Sequence, residues 1–96
     1  LYVCKSKMFK NLVIASNSSR ENVDRIMNYH QIDPNLFDHI YTRDDVPNKK
    51  PHPDMGHLVF NKYPQYKEED FLMVGDSDVD STFARKLGIK CIIVKF

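Results

Sequence analysis

An apolar run that ends in a cluster of carboxylates constrains this chain more than any other feature of its sequence. Phe71–Val74 is short and bounded by turn residues, which predicts a buried strand. Gly75 allows a sharp turn, and Asp76, Asp78 and Asp80 follow at the carboxyl end of that strand. Open α/β sheets bind ligands at this end, and Mg²⁺ prefers carboxylate oxygens and water. The simpler alternative is an acidic turn that only starts a helix, because Asp and Ser favour the first helical turn.

Hydroxyl side chains directly follow a second apolar run. Leu12–Ala15 predicts another strand, and Ser16 comes immediately after it. Hydroxyls and backbone N–H groups at a strand-to-helix turn suit a phosphate oxygen. Ser18 and Glu21 have the spacing of a capping box, so Ser18 and Ser19 are expected to cap the next helix. Ser16 precedes the cap, a position from which its hydroxyl can face a ligand.

Two lysines lie in a proline-containing loop between these runs. Lysines in loops are usually solvated, so Lys49 and Lys50 alone would indicate only a surface. Pro51 restricts Lys50 to an extended conformation, and Pro53 can occupy the first position of a helix. Either lysine can belong to a site, and Lys50 is favoured because it directly precedes Pro51.

Strand and helix patterns alternate along the chain. Helices are predicted over Arg20–Tyr29, Pro53–Lys62 and Val79–Leu87, and further strands over His39–Thr42 and Cys91–Val94. Gly88 is expected to close the last helix as its C-terminal cap. The core-facing residues of the first helix are predicted to be Val23, Ile26, Met27 and His30. The alternation predicts an α/β fold with a parallel sheet, and Leu1–Phe9 remains ambiguous.

Composition narrows the functional classes. The 96 residues predict one domain, 1–96, and the formal net charge of +1 indicates neither a nucleic-acid nor a membrane partner. No apolar run approaches the roughly 20 residues that span a bilayer. Cys4 and Cys91 lack zinc-type spacing, so Cys91 is expected to be a small buried hydrophobe and a reduced, cytoplasmic setting is the default. The basic cluster of Lys5, Lys7 and Lys10 is expected to be solvated.

The three segments together resemble the haloacid dehalogenase (HAD) superfamily of phosphohydrolases, in its phosphoglycolate-phosphatase-like branch. Ile14–Ser18 is similar to the second motif of that family, which binds phosphate through a Ser or Thr. Lys50–Asp54 is similar to the third motif, whose lysine balances the charge of nucleophile and phosphate. Val74–Asp80 is similar to the fourth motif, whose acids serve Mg²⁺. The resemblance covers Asn11–Val94, with Lys49 standing where relatives commonly carry Gly.

This resemblance implies a three-layer Rossmann-like core with a parallel sheet and a definite role for each matching residue. Ser16 and the backbone of Asn17 would hold phosphate, and Lys50 would neutralise it. Asp76 would ligate Mg²⁺ directly, and Asp80 would do so through water or would orient the other groups. The implied partner is a small phosphorylated metabolite.

The first motif of the family has no counterpart in this sequence. That motif is Asp-x-Asp near the amino terminus, and it supplies the nucleophile and the general acid/base. Here Asp-x-Asp occurs only inside Asp76–Asp80, and residues 1–11 contain no acid. We therefore expect a partial core without the amino-terminal central strand and the cap. Two half-sheets with open edges would remain, and these favour self-association or pairing with the missing segment.

Two functions of different classes fit these observations. The first is the carboxy-terminal core part of a Mg²⁺-dependent HAD-type phosphatase, which acts through an aspartyl-phosphate and is inactive alone. The alternative is a degenerate HAD-like module that binds phosphate or a protein partner without catalysis. A receiver domain also pairs acids with a lysine, but its order of motifs differs from the order here.

Overall fold

The computed structural model describes residues 11–94, which fall into two compact units that divide after Asp45. The first unit contains β1 (Val13–Ala15), α1 (Arg20–Tyr29) and β2 (His39–Tyr41). The second contains α2 (Asp54–Lys62), β3 (Leu72–Gly75), α3 (Asp78–Leu87) and β4 (Lys90–Ile93). Short 3₁₀ turns occupy Pro34–Leu36, Arg43–Asp45 and Glu68–Asp70. The expectations for Leu1–Phe9, Cys4, Lys5, Lys7 and Lys10 lie outside the described residues.

The first unit is built on a parallel pair of short strands. β1 pairs with β2 so that Val13 lies opposite His39 and Ala15 opposite Tyr41. Single hydrogen bonds extend the pair at each end: the Asp38 N–H donates to Leu12 O at 2.7 Å, and the Ser16 N–H donates to Tyr41 O at 3.0 Å. Ser16 is therefore held by backbone pairing at the carboxyl end of β1.

Helix α1 begins at a serine cap, one residue later than the capping-box spacing predicts. Ser19 is the N-cap, and its hydroxyl accepts a hydrogen bond from the Asn22 N–H at 3.2 Å. The assignment of Ser18 with Glu21 is therefore wrong, whereas the assignment of Ser19 is confirmed. Ser18 instead donates its own N–H to the Ser16 hydroxyl, so the chain turns once more before the helix starts.

The hydrophobic core of the first unit lies where α1 covers the strand pair. Val23, Met27 and Phe37 are buried, and four apolar residues pack around them: Leu12, Ile14, Ile32 and Ile40. Ile26, predicted as a core residue, is 45% exposed, and His30 is exposed at the helix C-cap. Strands of three residues cover only a narrow stripe of the helix, so residues at the flank of that stripe stay in solvent.

The second unit repeats the parallel arrangement. β3 pairs with β4, with Met73 opposite Cys91 and Gly75 opposite Ile93. The buried residues of α3 recur at helical spacing: Asp80, Phe83, Ala84 and Leu87. Gly88 ends α3 in the left-handed conformation at φ 74°, which confirms the predicted cap.

One face of the β3–β4 pair remains open, contrary to the expectation of a buried strand. Leu72 is 38% exposed, and Val74 and Ile92 are each 50% exposed. Alternate residues of a strand point to opposite faces, and α3 packs beside Gly75 on the other face. The continuous apolar sequence of β3 is typical of a strand buried on both faces, but here β3 is covered on one face only.

Helices α2 and α3 approach each other closely at a glycine. Gly56 is buried, and a Cβ atom added to it would lie 2.9 Å from Cγ of Leu87 and closer still to the two methyl groups. The absence of a side chain at Gly56 therefore allows Leu87 to pack against the backbone of α2 beside the fully buried Met55.

The chain is a small α/β fold with parallel strands, as predicted. Within residues 11–94 each strand pairs with one neighbour, which gives the two half-sheets expected from the sequence. The prediction of a single domain over residues 1–96 stays a prediction. No helix among the described residues has the length and apolar character needed to cross a membrane.

Candidate active site

A buried ion pair between Lys50 and Asp80 is the centre of the candidate site. Lys50 Nζ lies 2.7 Å from Asp80 Oδ1, and the two side chains are only 9% and 8% exposed. Lys50 precedes α2 and Asp80 lies in the first turn of α3, so tertiary packing brings them together. Lys49 is exposed, whereas the neighbouring Lys50 reaches the interior. Phe83, one turn along α3, places its ring centroid 6.0 Å from the Lys50 ammonium.

The backbone that leaves β3 holds the second oxygen of the same carboxylate. The Asp76 N–H donates to Asp80 Oδ2 at 3.1 Å. This approach requires the glycine that ends β3, because a Cβ atom on Gly75 would lie 2.6 Å from Cγ of Asp80. Gly75 therefore gives Asp80 the space to reach both Lys50 and the turn.

The charge of Asp80 is stabilised despite its burial. Burial by itself would raise the pKa of Asp80, but the hydrogen bond and the charge of Lys50 lower it, and hydrogen bonding with Asp76 lowers it further. The net direction is a pKa below the ordinary value, so Asp80 is ionised at neutral pH. The pair combines an ammonium and a carboxylate in a largely dehydrated position.

Asp76 supplies an exposed carboxylate beside this pair. It lies at the carboxyl end of β3, next to Asp80, while Asp78 begins α3 and is also exposed. Within residues 11–94, no group of three or more His, Cys, Asp or Glu side chains is arranged to hold a metal ion. The donor set fits a hydrated Mg²⁺, because that ion needs only one or two carboxylates and keeps several waters. Asp76 would bind it directly. Asp80, with each oxygen already accepting one hydrogen bond, would bind it through water.

Ser16 and Asn17 lie in the first unit, at the carboxyl end of β1. The Ser16 hydroxyl accepts the Ser18 N–H at 3.1 Å, which gives the chain a local turn at this position. Ser16 and Asn17 are both half-buried. Lys50, Asp76 and Asp80 belong to the second unit. Ser16 and Asn17 therefore follow the carboxyl end of β1 in the first unit. In the second unit Asp76 follows β3, and Asp80 accepts hydrogen bonds from both Asp76 and Lys50.

Sequence reasoning missed a group of polar residues after β2. Thr42 is fully buried, and Asp45 accepts hydrogen bonds from both its N–H and its hydroxyl. Arg20 forms an ion pair with Asp45 at 3.1 Å. The sequence signal for this group was the pair of acids, Asp44 and Asp45, one residue after the predicted strand His39–Thr42. Carboxylates in such turns commonly accept hydrogen bonds from backbone N–H groups.

Cys91 lies in β4 beside Met73, and it is half-buried instead of buried as expected. Partial burial raises the pKa of its thiol, and the Asp80 carboxylate raises it further, while Lys50 opposes both. The thiol is therefore protonated at neutral pH.

Comparisons with known proteins agree with the sequence motifs. The sequence model of the haloacid dehalogenase-like hydrolases matches residues 5–94 of the chain. A comparison with curated proteins gave no significant match.

Solved structures show the same fold. A HAD-superfamily hydrolase of subfamily IA, variant 1, from Geobacter sulfurreducens is 28% identical with a TM-score of 0.75, covering 86% of this chain and 42% of that one. A predicted phosphoglycolate phosphatase from Haemophilus somnus is 28% identical with a TM-score of 0.73, covering 88% and 36%. A protein described as the HAD-hydrolase YfnB from Bacillus subtilis, bound to magnesium, is 24% identical with a TM-score of 0.77, covering 88% and 37%. The chain thus spans less than half the length of these structural relatives.

Proposed function

Because the chain belongs to the haloacid dehalogenase-like hydrolase family, we propose that it is the carboxy-terminal core part of a Mg²⁺-dependent phosphatase for a small phosphate monoester. The buried Lys50–Asp80 pair carries this proposal. A lysine that is dehydrated and held by a carboxylate is a fixed positive charge, able to stabilise phosphoryl oxygens more strongly than a solvated lysine. The neighbouring Asp76 supplies the oxygen ligand that a hydrated cation requires.

Each residue has a distinct task in this proposal. Lys50 neutralises phosphoryl charge, and Asp80 fixes Lys50 by accepting its hydrogen bond. Ser16 and the Asn17 backbone bind phosphate oxygens. Asp76 holds Mg²⁺, which supplies further charge neutralisation at the phosphoryl group when bound. One structural relative was solved with magnesium, and its likeness to this chain is one of fold.

The residue that would attack phosphorus has no counterpart in the sequence. Asp-x-Asp occurs only within Asp76–Asp80, which already forms the cation side of the proposed site. We therefore propose that the 96-residue chain by itself turns over no substrate and that an aspartate from another segment completes the chemistry. The likeness to a predicted phosphoglycolate phosphatase supports the proposal that the substrate is a small organic phosphate. We also propose a cytoplasmic location, with which the free thiol of Cys91 agrees.

The decisive experiment follows the binding of inorganic phosphate with Mg²⁺ by amide chemical shifts in the isolated chain. We expect shifts at Ser16 and Asn17 in the first unit and at Asp76 in the second, and loss of the Asp76 shift in Lys50→Met but not in the matched exposed variant Lys49→Met. Hydrolysis of p-nitrophenyl phosphate should stay at the rate of buffer. A Mg²⁺-dependent rate that Asp76→Asn abolishes would show that the chain contains its own nucleophile.

The alternative is a degenerate module that binds phosphate or a protein partner without catalysis. The absent Asp-x-Asp favours it, and the phosphate titration alone does not separate the two. The coding sequence before Leu1 does: an apolar strand followed by Asp-x-Asp supports the enzyme, and any other sequence supports the binding module.

A further inference from the structure

Several polar contacts join the turn after β2 to the loop after β1. We call residues 16–19 the serine loop and residues 42–45 the acidic turn. One backbone hydrogen bond joins them, from the Arg43 N–H to Ser18 O at 3.2 Å. A second joins the serine loop to the last residue of β2, from the Ser16 N–H to Tyr41 O at 3.0 Å. The serine loop is therefore fastened near both of its ends to the segment that leaves β2.

Arg20 makes a second connection at the start of α1. Its backbone N–H donates to Asp44 Oδ2 at 2.9 Å, and its guanidinium donates to Asp45 Oδ2 at 3.1 Å. The same guanidinium reaches Ile40 O at 2.6 Å. One residue thus contacts the middle of β2 and both acids of the acidic turn.

Thr42 is the buried centre of the acidic turn. Its N–H and hydroxyl donate to Asp45 Oδ2 at 2.7 and 3.2 Å, and its hydroxyl accepts the Asp44 N–H at 3.3 Å. The Thr42 N–H is the main cause that holds the pKa of Asp45 below its ordinary value, and Arg20 adds to it against the opposing effect of burial. Asp45 is therefore a fixed negative charge that orients Arg20.

These contacts also decide where an anion can approach α1. The first N–H of the helix is taken by the Asp44 carboxylate, and the Asn22 N–H is taken by the Ser19 hydroxyl. A helix N-terminus ordinarily attracts phosphate. Here a carboxylate of the chain already occupies that position, so the phosphate of the proposed function is assigned to Ser16 and the Asn17 backbone and not to the helix N-terminus.

We propose that the acidic turn is a latch that fixes the conformation of the serine loop for phosphate binding, with Thr42, Asp45 and Arg20 as positioning residues. The proposal rests on the proposed function for its ligand, but the fixing of the loop can be measured without any ligand. Loss of the latch lowers phosphate affinity through disorder of the loop and not through a change of charge.

Charge-neutral variants give the sharpest test. Thr42→Val keeps the size and burial of the side chain and removes the two hydrogen bonds of its hydroxyl, whereas Thr42→Ser keeps the hydroxyl and should restore them. Thr82→Val makes the same change at a half-buried threonine of α3 and serves as the matched control. Arg20→Lys is a second variant that retains the positive charge but loses the planar group that reaches both Ile40 O and Asp45.

Amide hydrogen exchange of Ser16 and Ser18, whose N–H groups are hydrogen-bonded, is the first measurement, with exchange in α3 as the measure of global opening. We expect exchange in the serine loop to rise about three- to tenfold in Thr42→Val and Arg20→Lys, the factor for the loss of a net hydrogen bond, with no change in α3. Thr42→Ser and Thr82→Val should match the parent chain. Equal acceleration in the loop and in α3, or none in the loop, would refute the latch.

Titration with inorganic phosphate is the second measurement. If the latch fixes the loop for binding, the variants that lose protection from amide exchange in the serine loop also lose phosphate affinity, by about the same three- to tenfold factor. Loop exchange that rises while phosphate affinity stays constant refutes the role in binding. If the parent chain binds no phosphate, the proposed function fails, and the exchange data alone confirm or refute the fixing of the loop.

Discussion

Lys50 Nζ lies 2.7 Å from Asp80 Oδ1, across a separation of 30 residues, and both side chains are almost fully buried. An ion pair in this position has lost most of its water, so each charge depends on the other.

Removal of the lysine charge should destabilise the chain strongly. We expect Lys50→Met to lower the free energy of unfolding by about 3 kcal/mol, because it leaves the Asp80 carboxylate buried without its partner. Lys49→Met, at the exposed neighbouring position, should change it by less than about 0.5 kcal/mol. Urea denaturation of both variants measures the difference. Equal effects would show that the ion pair does not form in solution.

The absence of a side chain at Gly75 should be necessary for the position of Asp80. Gly75→Ala would place a methyl group against the Asp80 carboxylate, and we expect a loss of about 1–3 kcal/mol with shifted amide signals at Asp76 and Asp80. Gly88→Ala is the control, because it has open space around it but a positive φ of 74°, and should cost about 1 kcal/mol without those shifts. Unchanged Asp80 signals in Gly75→Ala would contradict the close approach.

Stability should decrease in acid because of Asp80. Its pKa in the folded chain lies below the ordinary value of about 3.9, so the unfolded state binds a proton more readily than the native state. The contribution is fully present above that value and is lost as the pH falls through the lower, folded pKa. Asp80→Asn should therefore be less stable than the parent at pH 7, and the gap should narrow in acid. Denaturation midpoints between pH 7 and pH 2 provide the measurement, and a constant gap would contradict the lowered pKa.

Mg²⁺ should bind weakly and through Asp76. Two carboxylates, one already paired with Lys50, provide few direct ligands, and we expect a dissociation constant no tighter than about millimolar. Amide shifts on titration should centre on residues 75–80 and disappear in Asp76→Asn but persist in Asp78→Asn. Calorimetric binding in the micromolar range would show that a further group completes the site.

The open strand edges should promote association. In residues 11–94, β1 and β3 each pair on one side, and N–H and C=O groups on the other side need partners. We expect the apparent mass from light scattering to rise with protein concentration. A peptide that pairs with these edges should raise the melting temperature when it is added, because it binds the folded state. A stable monomer whose amides at residues 12–15 and 72–75 are all strongly protected would contradict this prediction.

The sequence alone predicted the α/β class, the Gly88 cap and, within residues 11–94, the three α-helices to within one residue at either end. It also indicated the three segments of the candidate site, whose role stays a prediction. These features depend on local chemistry: apolar periodicity, turn residues and the residue types that bind phosphate and cations. The sequence also favoured Lys50 over Lys49 as the lysine of the site, because Pro51 restricts the conformation only of the residue directly before it.

Only the tertiary structure decided how these residues are used. It paired Lys50 with Asp80, since the packing of α3 against β3 and the missing side chain of Gly75 bring that carboxylate inward. It left Ile26 and Val74 about half exposed. A two-stranded sheet covers only one side of a helix, and a helix covers only one face of such a sheet. The tertiary structure also assembled Thr42, Asp45 and Arg20 around the serine loop, a set whose members lie up to 25 residues apart and share no local pattern. Local patterns specify elements and residue types, whereas burial, pairing and charge depend on which distant residues share a neighbourhood.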